Sequence, residues 1–467
     1  MIDDLRIHAA HEPGPLAQRE LVLYWMQGVT MRSRANFALN FAAERANELG
    51  LPLVVYQGLR HDYPWASDRL HTFILESVAD LQRGFEARGI QYAFYLETSA
   101  ETRRRHAGGP SPLVALTRRA ALVVTDFFPT FIQPRQLKAL RDQLETPVVA
   151  VDSATLVPMK AHDREYPVAR SIRPVLMAAL PHQLYPVNDV DPLVRRTVEL
   201  PFDPVDVPTG PGQAGAVAAL VAECDIDHSV PPSPIIRGGE EAARARLHHF
   251  VEHGLPRYAA DRGDPNVDAT SRLSPYLHFG NLSIQEVLLS AREAGSGENY
   301  AKFLDEALIW REISHNLVYR NPRHRTLGAI PDWARKELED HTDDPRPALY
   351  ADAKLEEART ESELWNACQR SLLRDGELHN YVRMLWGKSV LLWTQGPADA
   401  LRILEHLNHK YALDGRDPCS YGGILWCFGR FDRPFYRRPI FGTVRYMSLG
   451  TQPRKFDVPA YVARYQA

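Results

Sequence analysis

LVLYWMQ, residues 21–27, is the first of five short apolar runs in the N-terminal part of the chain. The other four are LPLVVYQ (51–57), IQYAFYL (90–96), AALVVTDFF (120–128) and PVVAVDS (147–153). Longer amphipathic, helix-like stretches lie between them, such as residues 33–49 and 67–88. Continuous apolar runs are typical of strands buried on both faces. The alternation therefore predicts an α/β domain of Rossmann-like type, with a five-stranded parallel sheet between two layers of helices.

The first strand is not followed by the glycine pattern of a common dinucleotide site. No GxGxxG follows residues 21–27, which disfavours a nicotinamide-type cofactor at the first turn. Ligands of parallel sheets usually bind beyond the carboxyl ends of the strands.

The chain changes character twice after the last predicted strand. Residues 181–236 are dense in proline and polar residues, which favours an irregular connector over the surface. Beyond residue 240 helical periodicity dominates, for example in 283–294, 300–319, 361–375, 377–393 and 397–411. We therefore expect an α/β domain over 1–180, a linker over 181–236 and an all-helical domain over 237–467.

Composition excludes several classes of protein. The chain has 467 residues, of which 45% are hydrophobic and 24% charged, and no apolar run is long enough to cross a bilayer. The N-terminus lacks the apolar segment of a secretory signal, and four scattered cysteines form no CxxC pair. We expect a cytoplasmic protein without a metal site. The net charge of −3 means that any nucleic-acid partner needs a local basic patch.

Three segments carry residue types suited to chemistry. In DATSRLSPYLHFGNLS (268–283), three hydroxyls precede a helix start, where they could seat a phosphate or simply cap the helix. In FLDEALIWREISHNLVY (303–319), Glu306 and Trp310 share a helical face, so the carboxyl could be a desolvated acid or an exposed glutamate beside a core tryptophan. ALDGRDPCSYGGILW (412–426) is turn-rich and could admit a flat ligand, or be an ordinary loop.

Tryptophan is concentrated in the helix HNYVRMLWGKSVLLW (379–393). Trp386 and Trp393 lie seven residues apart, about two turns along one face. Taken alone, this spacing fits a buried core face.

The C-terminal segment 430–455 is basic and aromatic. Seven cations face one acid, Asp432, which gives 7 − 1 = +6 in a protein of net −3. Arginines can contact phosphates and rings can stack on bases, although a solvated basic face has the same composition.

Six motifs, taken in order, resemble those of one family. They are SRLSPYLHFG, FLDEALIWRE, LWNACQ, YVRMLWGK, LNHKYALDGRDP and RRPIFGTVRYM, and YWMQ at 24–27 fits the same family's N-terminal domain. The chain resembles class II cyclobutane pyrimidine dimer photolyases, of the photolyase and cryptochrome superfamily. The resemblance implies light-driven repair of pyrimidine dimers in double-stranded DNA by electron transfer from reduced FAD (FADH−) to a flipped-out dimer. It also implies a monomer with no obligate protein partner, and an antenna such as 8-hydroxy-deazaflavin.

The resemblance assigns roles to individual residues. Cofactor contacts fall on Tyr258, Thr270, Ser271, Arg272, Leu273, Ser274, Arg383, Asn408, Asp414 and Asp417. Glu306 would hydrogen-bond a dimer carbonyl, Arg383 and Asp414 would form an ion pair beside the flavin ring, and Asn408 would lie near flavin N5. Dimer contacts fall on Arg262, Glu306, Trp310, Met384, Trp426 and Arg438. Trp386, Trp365 and Trp393, extended by Tyr350, would relay an electron from the surface to the flavin.

The chain departs from the family near Phe435 and Tyr436, where the family carries a tryptophan. Two rival functions stay open at this stage. A cryptochrome-like photosensor would keep the flavin and the tryptophans but lose the dimer contacts, and a flavin redox enzyme would need a small-substrate pocket instead of a basic face.

Overall fold

One six-stranded sheet organises the N-terminal part of the protein. The computed structural model describes residues 2–9, 19–100, 102 and 111–466. The strands are β1 (Ile7–Ala9), β2 (Leu21–Met26), β3 (Leu53–Arg60), β4 (Gln91–Glu97), β5 (Ala120–Asp126) and β6 (Val148–Val151). Their spatial order is β1-β6-β5-β2-β3-β4. Strands β2 to β6 are mutually parallel, which confirms the five predicted strands. The short β1 was not predicted, and it adds an antiparallel edge to β6.

Alternate residues of β2 face two different cores. Val22, Tyr24 and Met26 belong to a hydrophobic cluster that continues into the helical half of the chain. Leu21, Leu23 and Trp25 belong to a second cluster on the opposite face. All six residues are buried, because parallel sheets are covered on both faces.

Helices cover the sheet and make up much of the remaining described chain. Those up to residue 222 are Phe37–Leu49, Asp68–Ala87, Pro112–Arg119, Gln133–Arg141, Ala169–Gln183 and Gln213–Ala222. Those beyond it are Glu240–His249, Tyr258–Asp261, Ser274–Phe279, Ile284–Ala294, Glu298–Leu304, Arg311–Arg320, Asp332–Asp340, Asp352–Glu356, Glu363–Asp375, Asn380–Leu392, Pro397–Tyr411, Pro418–Trp426 and Val458–Arg464. No helix in the described ranges is long and apolar enough to span a membrane.

Two helical runs contain π-helical segments, Phe250–Gly254 and Asp305–Trp310. The second joins Glu298–Leu304 to Arg311–Arg320, so residues 298–320 form one continuous helical run. π-Helical turns are rare and occur often at functional sites, and this one carries both Glu306 and Trp310.

The region 181–236 is less irregular than its proline content suggested. It contains the helix Gln213–Ala222, and Val198 packs into the hydrophobic cluster on one face of the sheet. The helix Ala169–Gln183 also crosses the proposed start of the linker. The division into 1–180, 181–236 and 237–467 therefore stays a proposal.

Buried arginines join the sheet region to the helical region. Arg32 donates to the carbonyls of Ser153 (2.8 Å) and Gly280 (3.0 Å), one on each side of the junction. Arg69 donates to the carbonyls of Leu372 (3.0 Å) and Tyr411 (2.7 Å), at the ends of two C-terminal helices. Gly280 has a φ of +74°, and a Cβ there would lie 2.2 Å from the Val29 carbonyl oxygen. A side chain at that position would force the two regions apart.

Candidate active site and electron-transfer row

Glu306 and Arg262, two of the predicted dimer contacts, form an ion pair. The Arg262 Nη1 donates to Glu306 Oε1 at 2.6 Å, and about a quarter of each side chain is exposed, 28% for Arg262 and 25% for Glu306. Burial raises the pKa of Glu306, although the nearby guanidinium of Arg262 opposes that rise. Arg262 also lies 5.9 Å from the ring centre of Tyr258. The exposed part of each side chain can contact a ligand, and the buried part limits competition from water.

Tyr258 is the buried neighbour of this pair. It is 6% exposed and packs edge-on against Phe250 and Phe303. Burial, with a smaller contribution from the charge of Glu306, raises the pKa of Tyr258 to about 12. Its hydroxyl therefore stays protonated at neutral pH.

Aromatic side chains accompany the segment that holds Glu306. Trp310 is partly buried, four residues after Glu306, and meets Phe431 edge-on at 6.5 Å. Trp426 and Met384 are also partly buried, and they lie on two other helices. These side chains are therefore partly accessible to solvent, as a contact with a ligand requires.

The predicted ion pair between Arg383 and Asp414 is present. Arg383 Nη2 donates to Asp414 Oδ1 at 2.9 Å, with 22% and 11% of the side chains exposed. Nearby, Asn408 is 3% exposed and its Nδ2 donates to Ser420 Oγ at 3.1 Å. The Oγ of Ser420 in turn donates to the carbonyl of Asp414 at 2.8 Å. Asn408 is thereby connected to the ion pair through one hydroxyl.

The segment from Thr270 to Ser274 is not used as a side-chain helix cap. The helix Ser274–Phe279 begins after Leu273, which offers no side-chain cap bond. Leu273 is buried and Ser274 exposed, while the backbone carbonyls of Thr270 and Ser271 accept bonds from Arg246 at 2.8 and 2.9 Å.

Arg272 in this segment has a φ of +53°, and its Nε donates to Glu377 at 2.8 Å. Although burial opposes it, the charge of Glu377 raises the pKa of Arg272.

A cavity of about 340 Å³ adjoins this segment. Its lining includes Thr270, Arg272, Glu377 and His379. The Nε2 of His379 is buried without a hydrogen-bond partner, and so is the Nε of Arg383 four residues later. Buried polar atoms normally have partners. The nitrogen of His379 lies beside this cavity, and that of Arg383 belongs to the ion pair with Asp414. Both fit a polar, anionic cofactor that supplies hydrogen-bond acceptors.

Asp417 has a structural role in addition to its predicted one. Its carboxylate accepts from the backbone N–H of Cys419 at 2.8 Å, capping the helix Pro418–Trp426. It also lies 3.3 Å from His278 Nδ1. Burial alone would raise the pKa of Asp417, but the His278 hydrogen bond and nearby positive charge hold it below its ordinary value. Its role in cofactor binding stays a prediction.

Three buried tryptophans and one tyrosine form a continuous row. The ring centres of Trp386 and Trp365 are 6.4 Å apart with nearly parallel planes. Trp365 and Trp393 meet edge-on at 5.5 Å, and Trp393 and Tyr350 at 5.3 Å. Exposure is lowest at Trp386 (2%) and Trp365 (0%), and it is higher at Trp393 (6%) and at the partly buried Tyr350. The row therefore leads from the interior towards the surface.

The basic segment 430–455 presents fewer free cations than its sequence suggests. Arg430 is buried and pairs with Glu165, Arg437 pairs with Glu337, and Arg445 pairs with Asp432. Arg433, Arg438, Arg454 and Lys455 are exposed and have no ion pair within the described chain. The net charge of +6 counted over 430–455 is therefore larger than the charge of this surface, because two of the pairing acids, Glu165 and Glu337, come from elsewhere in the sequence. Four exposed cations remain for phosphate contacts.

One group of described residues could converge on a metal ion, namely His61, Asp62 and Glu97. The guanidinium of Arg60 already pairs with Asp62 at 2.8 Å and lies 3.7 Å from Glu97. That positive charge competes with any cation for the two carboxylates.

Known proteins resemble this chain over almost its whole length. The sequence model of the DNA photolyase family matches residues 22–192 of this chain. A deoxyribodipyrimidine photo-lyase of Methanothermobacter thermautotrophicus is 35% identical over 99% of this chain and 98% of its own. One from Oryza sativa subsp. japonica is 35% identical over 98% of this chain and 90% of its own. The chain belongs to the DNA photolyase family. The names of these relatives give no class, so class II stays a prediction.

Solved structures of photolyases and a cryptochrome share the fold. A bacterial class III photolyase from Agrobacterium tumefaciens superposes with a TM-score of 0.66 at 21% identity, covering 96% of this chain and 86% of its own. An archaeal photolyase from Sulfolobus tokodaii, described as containing two FAD molecules, gives 0.63 at 18% identity, covering 95% and 90%. A Synechocystis cryptochrome gives 0.65 at 15% identity, covering 96% and 86%. At these identities the likeness establishes the photolyase and cryptochrome fold, which confirms the predicted architecture.

Two polar residues of this photolyase-family chain were not predicted, one in the helix Asn380–Leu392 and one beside it. Gln369 accepts from Trp386 Nε1 at 2.9 Å, and Lys388 is 1% exposed. A lysine within an otherwise apolar helical stretch was the available signal for Lys388, and no local pattern singled out Gln369.

Proposed function

We propose that this protein repairs cyclobutane pyrimidine dimers in double-stranded DNA in a light-driven reaction. The observation that carries this proposal is the full-length likeness to proteins named deoxyribodipyrimidine photo-lyase. The shared fold does not separate repair from light sensing, because a cryptochrome has it too. The accessible Glu306–Arg262 pair, with the partly buried Trp310 four residues after Glu306, supports repair.

The cofactor in this proposal is FAD, held by residues of the helical half. Arg383, Asp414 and Asn408 would contact the flavin ring, while Tyr258, Asp417 and the segment Thr270 to Ser274 would contact the rest of the molecule. The unpartnered nitrogens of Arg383 and His379 support this assignment, since a flavin offers acceptors. When bound in its reduced form, FADH−, the cofactor absorbs near-UV or blue light and supplies the electron that opens the cyclobutane ring.

The lesion in this proposal is swung out of the duplex, as is general for enzymes that act on a base, photolyases among them. Trp310, Met384 and Trp426 would form the walls around it, and a stacked ring replaces part of the base stacking that the dimer had inside the duplex. Glu306 would hydrogen-bond a carbonyl of the dimer. Burial raises the pKa of Glu306, although Arg262 opposes that rise, so this carboxyl is protonated more readily than it would be without burial, and the protonated form can donate that bond.

The exposed cations of the basic segment would position the DNA backbone. Arg438 is among the four without an ion pair, and it lies 5.3 Å from the ring centre of Tyr446. Tyr436, two residues earlier, is 93% exposed. A solvent-facing ring beside free cations suits contact with bases and phosphates in the disturbed part of a duplex.

The row Trp386, Trp365, Trp393 and Tyr350 would bring an electron from the surface to the cofactor. Each step joins rings whose centres lie 5.3 to 6.4 Å apart. We also propose a monomer, and an antenna pigment of the 8-hydroxy-deazaflavin type in the α/β half.

The test is repair of a duplex that contains one thymine dimer, in light and in darkness. Purified protein should carry a flavin that acid releases and should restore the thymines only under illumination. Its affinity for DNA should fall steeply with salt, since phosphate contacts release counterions. Dark and illuminated samples with equal dimer content, in protein whose flavin is bound and reduced, would contradict the proposal.

A further inference from the structure

Lys388 is a buried cation in the helix Asn380–Leu392. It is 1% exposed, and its Nζ donates to the backbone carbonyl of Cys427 at 2.7 Å. No carboxylate pairs with it in the described ranges of the chain. Burying a charge without a paired anion is costly, so the position needs a compensating contact.

Besides the Cys427 carbonyl and the ring of Phe441, 6.0 Å away, the nearest compensating contact is the ring of Trp426. Lys388 Nζ lies over this ring, 4.8 Å from its centre, and Arg445 lies over it at 5.6 Å. Cations at such distances are attracted to the electron-rich face of an indole, most strongly where water is excluded. Two cations therefore act on one tryptophan at the end of the helix Pro418–Trp426.

Arg445 also connects Trp426 to the part of the basic segment around Phe435 and Tyr436, where the chain departs from the family. Asp432 holds its guanidinium through two bonds, at 2.7 and 3.0 Å. The same guanidinium lies 4.2 Å from the ring centre of Phe435. Trp426 is thus linked through Arg445 to the loop of Phe435 and Tyr436, and through Lys388 to the helix that carries Met384 and Trp386.

We propose that Lys388, together with Arg445, is a positioning residue that holds the ring of Trp426 ready to receive a damaged dinucleotide. The inference rests on the proposed function, because it takes Trp426 as a wall of the lesion site. Its consequence is that the preference for damaged over intact DNA depends on the charge of Lys388.

The charge of Lys388 changes within an accessible pH range. Burial lowers its pKa to about 8, Arg445 lowers it further, and Cys427 and Asp432 act in the opposite direction. These are the charged and titratable groups that face it. Cys427 does not titrate in the same range, since burial raises the pKa of its thiol to about 11. Lys388 is therefore charged below pH 8 and neutral above it, so the hold on Trp426 weakens as pH rises through that value.

The experiment compares binding of the holoenzyme in the dark to two duplexes, one with a thymine dimer and one intact, between pH 7 and pH 9.5. The measured quantity is the affinity for the damaged duplex divided by the affinity for the intact duplex. Changes in phosphate contacts that affect both duplexes equally cancel in this ratio. In the wild type this ratio should fall as pH passes about 8. Lys388→Met should lower the ratio at pH 7 roughly fivefold, by losing one cation–π contact, and should make it independent of pH.

Arg445→Met serves as the second variant, because Arg445 is 40% exposed and its loss does not open the core. It should lower the ratio at pH 7 and move the fall to a higher pH, because the charge of Arg445 lowers the pKa of Lys388. Lys354→Met is the matched control, since Lys354 is an exposed lysine over a different ring, 5.6 Å from the centre of Tyr350. It should change neither the ratio nor its pH profile.

The outcomes separate this inference from the proposed function. A wild type that binds both duplexes equally at pH 7 would overturn the proposed function and the inference with it. A wild type that prefers the damaged duplex, with a ratio and pH profile that Lys388→Met leaves unchanged, would overturn the inference alone. An equal decrease of the ratio at every pH in Lys388→Met and Lys354→Met would also overturn it, since the decrease would then come from the change in overall surface charge.

Discussion

Three tryptophans that form a buried row and a fourth, Trp426, lie in opposite settings. Trp365, Trp386 and Trp393 are buried against one another, and no cation lies over their rings in the part of the chain that the structure describes. The indole N–H of Trp365 donates to the backbone carbonyl of Trp386, and that of Trp386 donates to the side chain of Gln369. Trp426 is instead partly exposed and lies beneath Lys388 and Arg445.

The contrast indicates how one residue type can serve two purposes. Removing an electron from an indole leaves a positive charge, which nearby cations make unfavourable at short range and low dielectric. We infer that the buried row is the easier path for oxidation and that Trp426 is protected from it. Electron flow and lesion contact would then be separated by charge.

Replacing a tryptophan of the buried row and, separately, replacing Trp426 gives the largest expected effects. Trp386→Phe should reduce light-driven reduction of the resting flavin to near its dark rate, because the first ring of the row is lost. Repair by enzyme that has been reduced chemically should continue. Trp426→Phe should do the reverse, with normal photoreduction and weaker binding of damaged DNA. Spectroscopy under illumination measures the first quantity and a binding titration the second. Normal photoreduction in Trp386→Phe would break the assignment of the row.

Glu306→Ala tests the lesion side of the comparison. We expect the repair rate to fall by roughly 10²-fold, since a positioned acid typically contributes at least that much. Flavin content and photoreduction should not change, because Glu306 pairs with Arg262 and not with the row. The repair rate per absorbed photon is the measurement. Glu298→Ala, an exposed glutamate earlier in the same helical run, is the control and should repair at the normal rate.

Burial of Lys388 over the ring of Trp426 should affect how the free energy of unfolding depends on pH. The folded pKa of Lys388, about 8, lies below its ordinary value of 10.5, which it regains on unfolding. The unfolded chain therefore binds more protons between these values, and the wild type gains stability as pH rises through them. Relative to Lys388→Met, this gain should be roughly 2–3 kcal/mol between pH 7 and pH 10.

Urea denaturation at the two pH values measures this difference. Lys354→Met should show no comparable change relative to the wild type. A constant difference in stability between Lys388→Met and wild type across the range would show that Lys388 keeps an ordinary pKa when folded.

Tyr350→Phe should have the smallest effect. Tyr350 ends the row, but its neighbour Trp393 already lies near the surface, with 6% of its area exposed. An external reductant could therefore reach Trp393 directly, and photoreduction should slow by no more than a factor of a few. The initial rate of flavin reduction at limiting reductant measures this. A block as complete as that of Trp386→Phe would make Tyr350 an obligatory step.

Much of this arrangement was predictable from residue patterns. The apolar runs at 21–27 and 120–128 form strands β2 and β5 to within two residues, since burial on both faces leaves a continuous signal. The helix predicted over 397–411 has those bounds in the structure. Family resemblance named Trp365, Trp386 and Trp393, but only the fold placed Trp365 between the other two.

Other features could not be predicted because their causes are not local. The π-helical turn under Glu306 shifts the hydrogen bonds by one residue without a strong pattern in the sequence. The basic segment looked more strongly charged than it is, since Glu165 and Glu337 come from distant parts of the chain.

The sequence by itself determined the order of strands and helices, the family and the residues from which a site can be built. Periodicity and motifs reflect forces between residues close along the chain, so they can be recognised without a structure. Only the tertiary structure decided which cations are neutralised, which tryptophans touch and that Lys388 lies over Trp426. Those facts depend on packing between residues as far apart as Arg262 and Glu306, or Arg445 and Trp426, and on how much water the packing excludes.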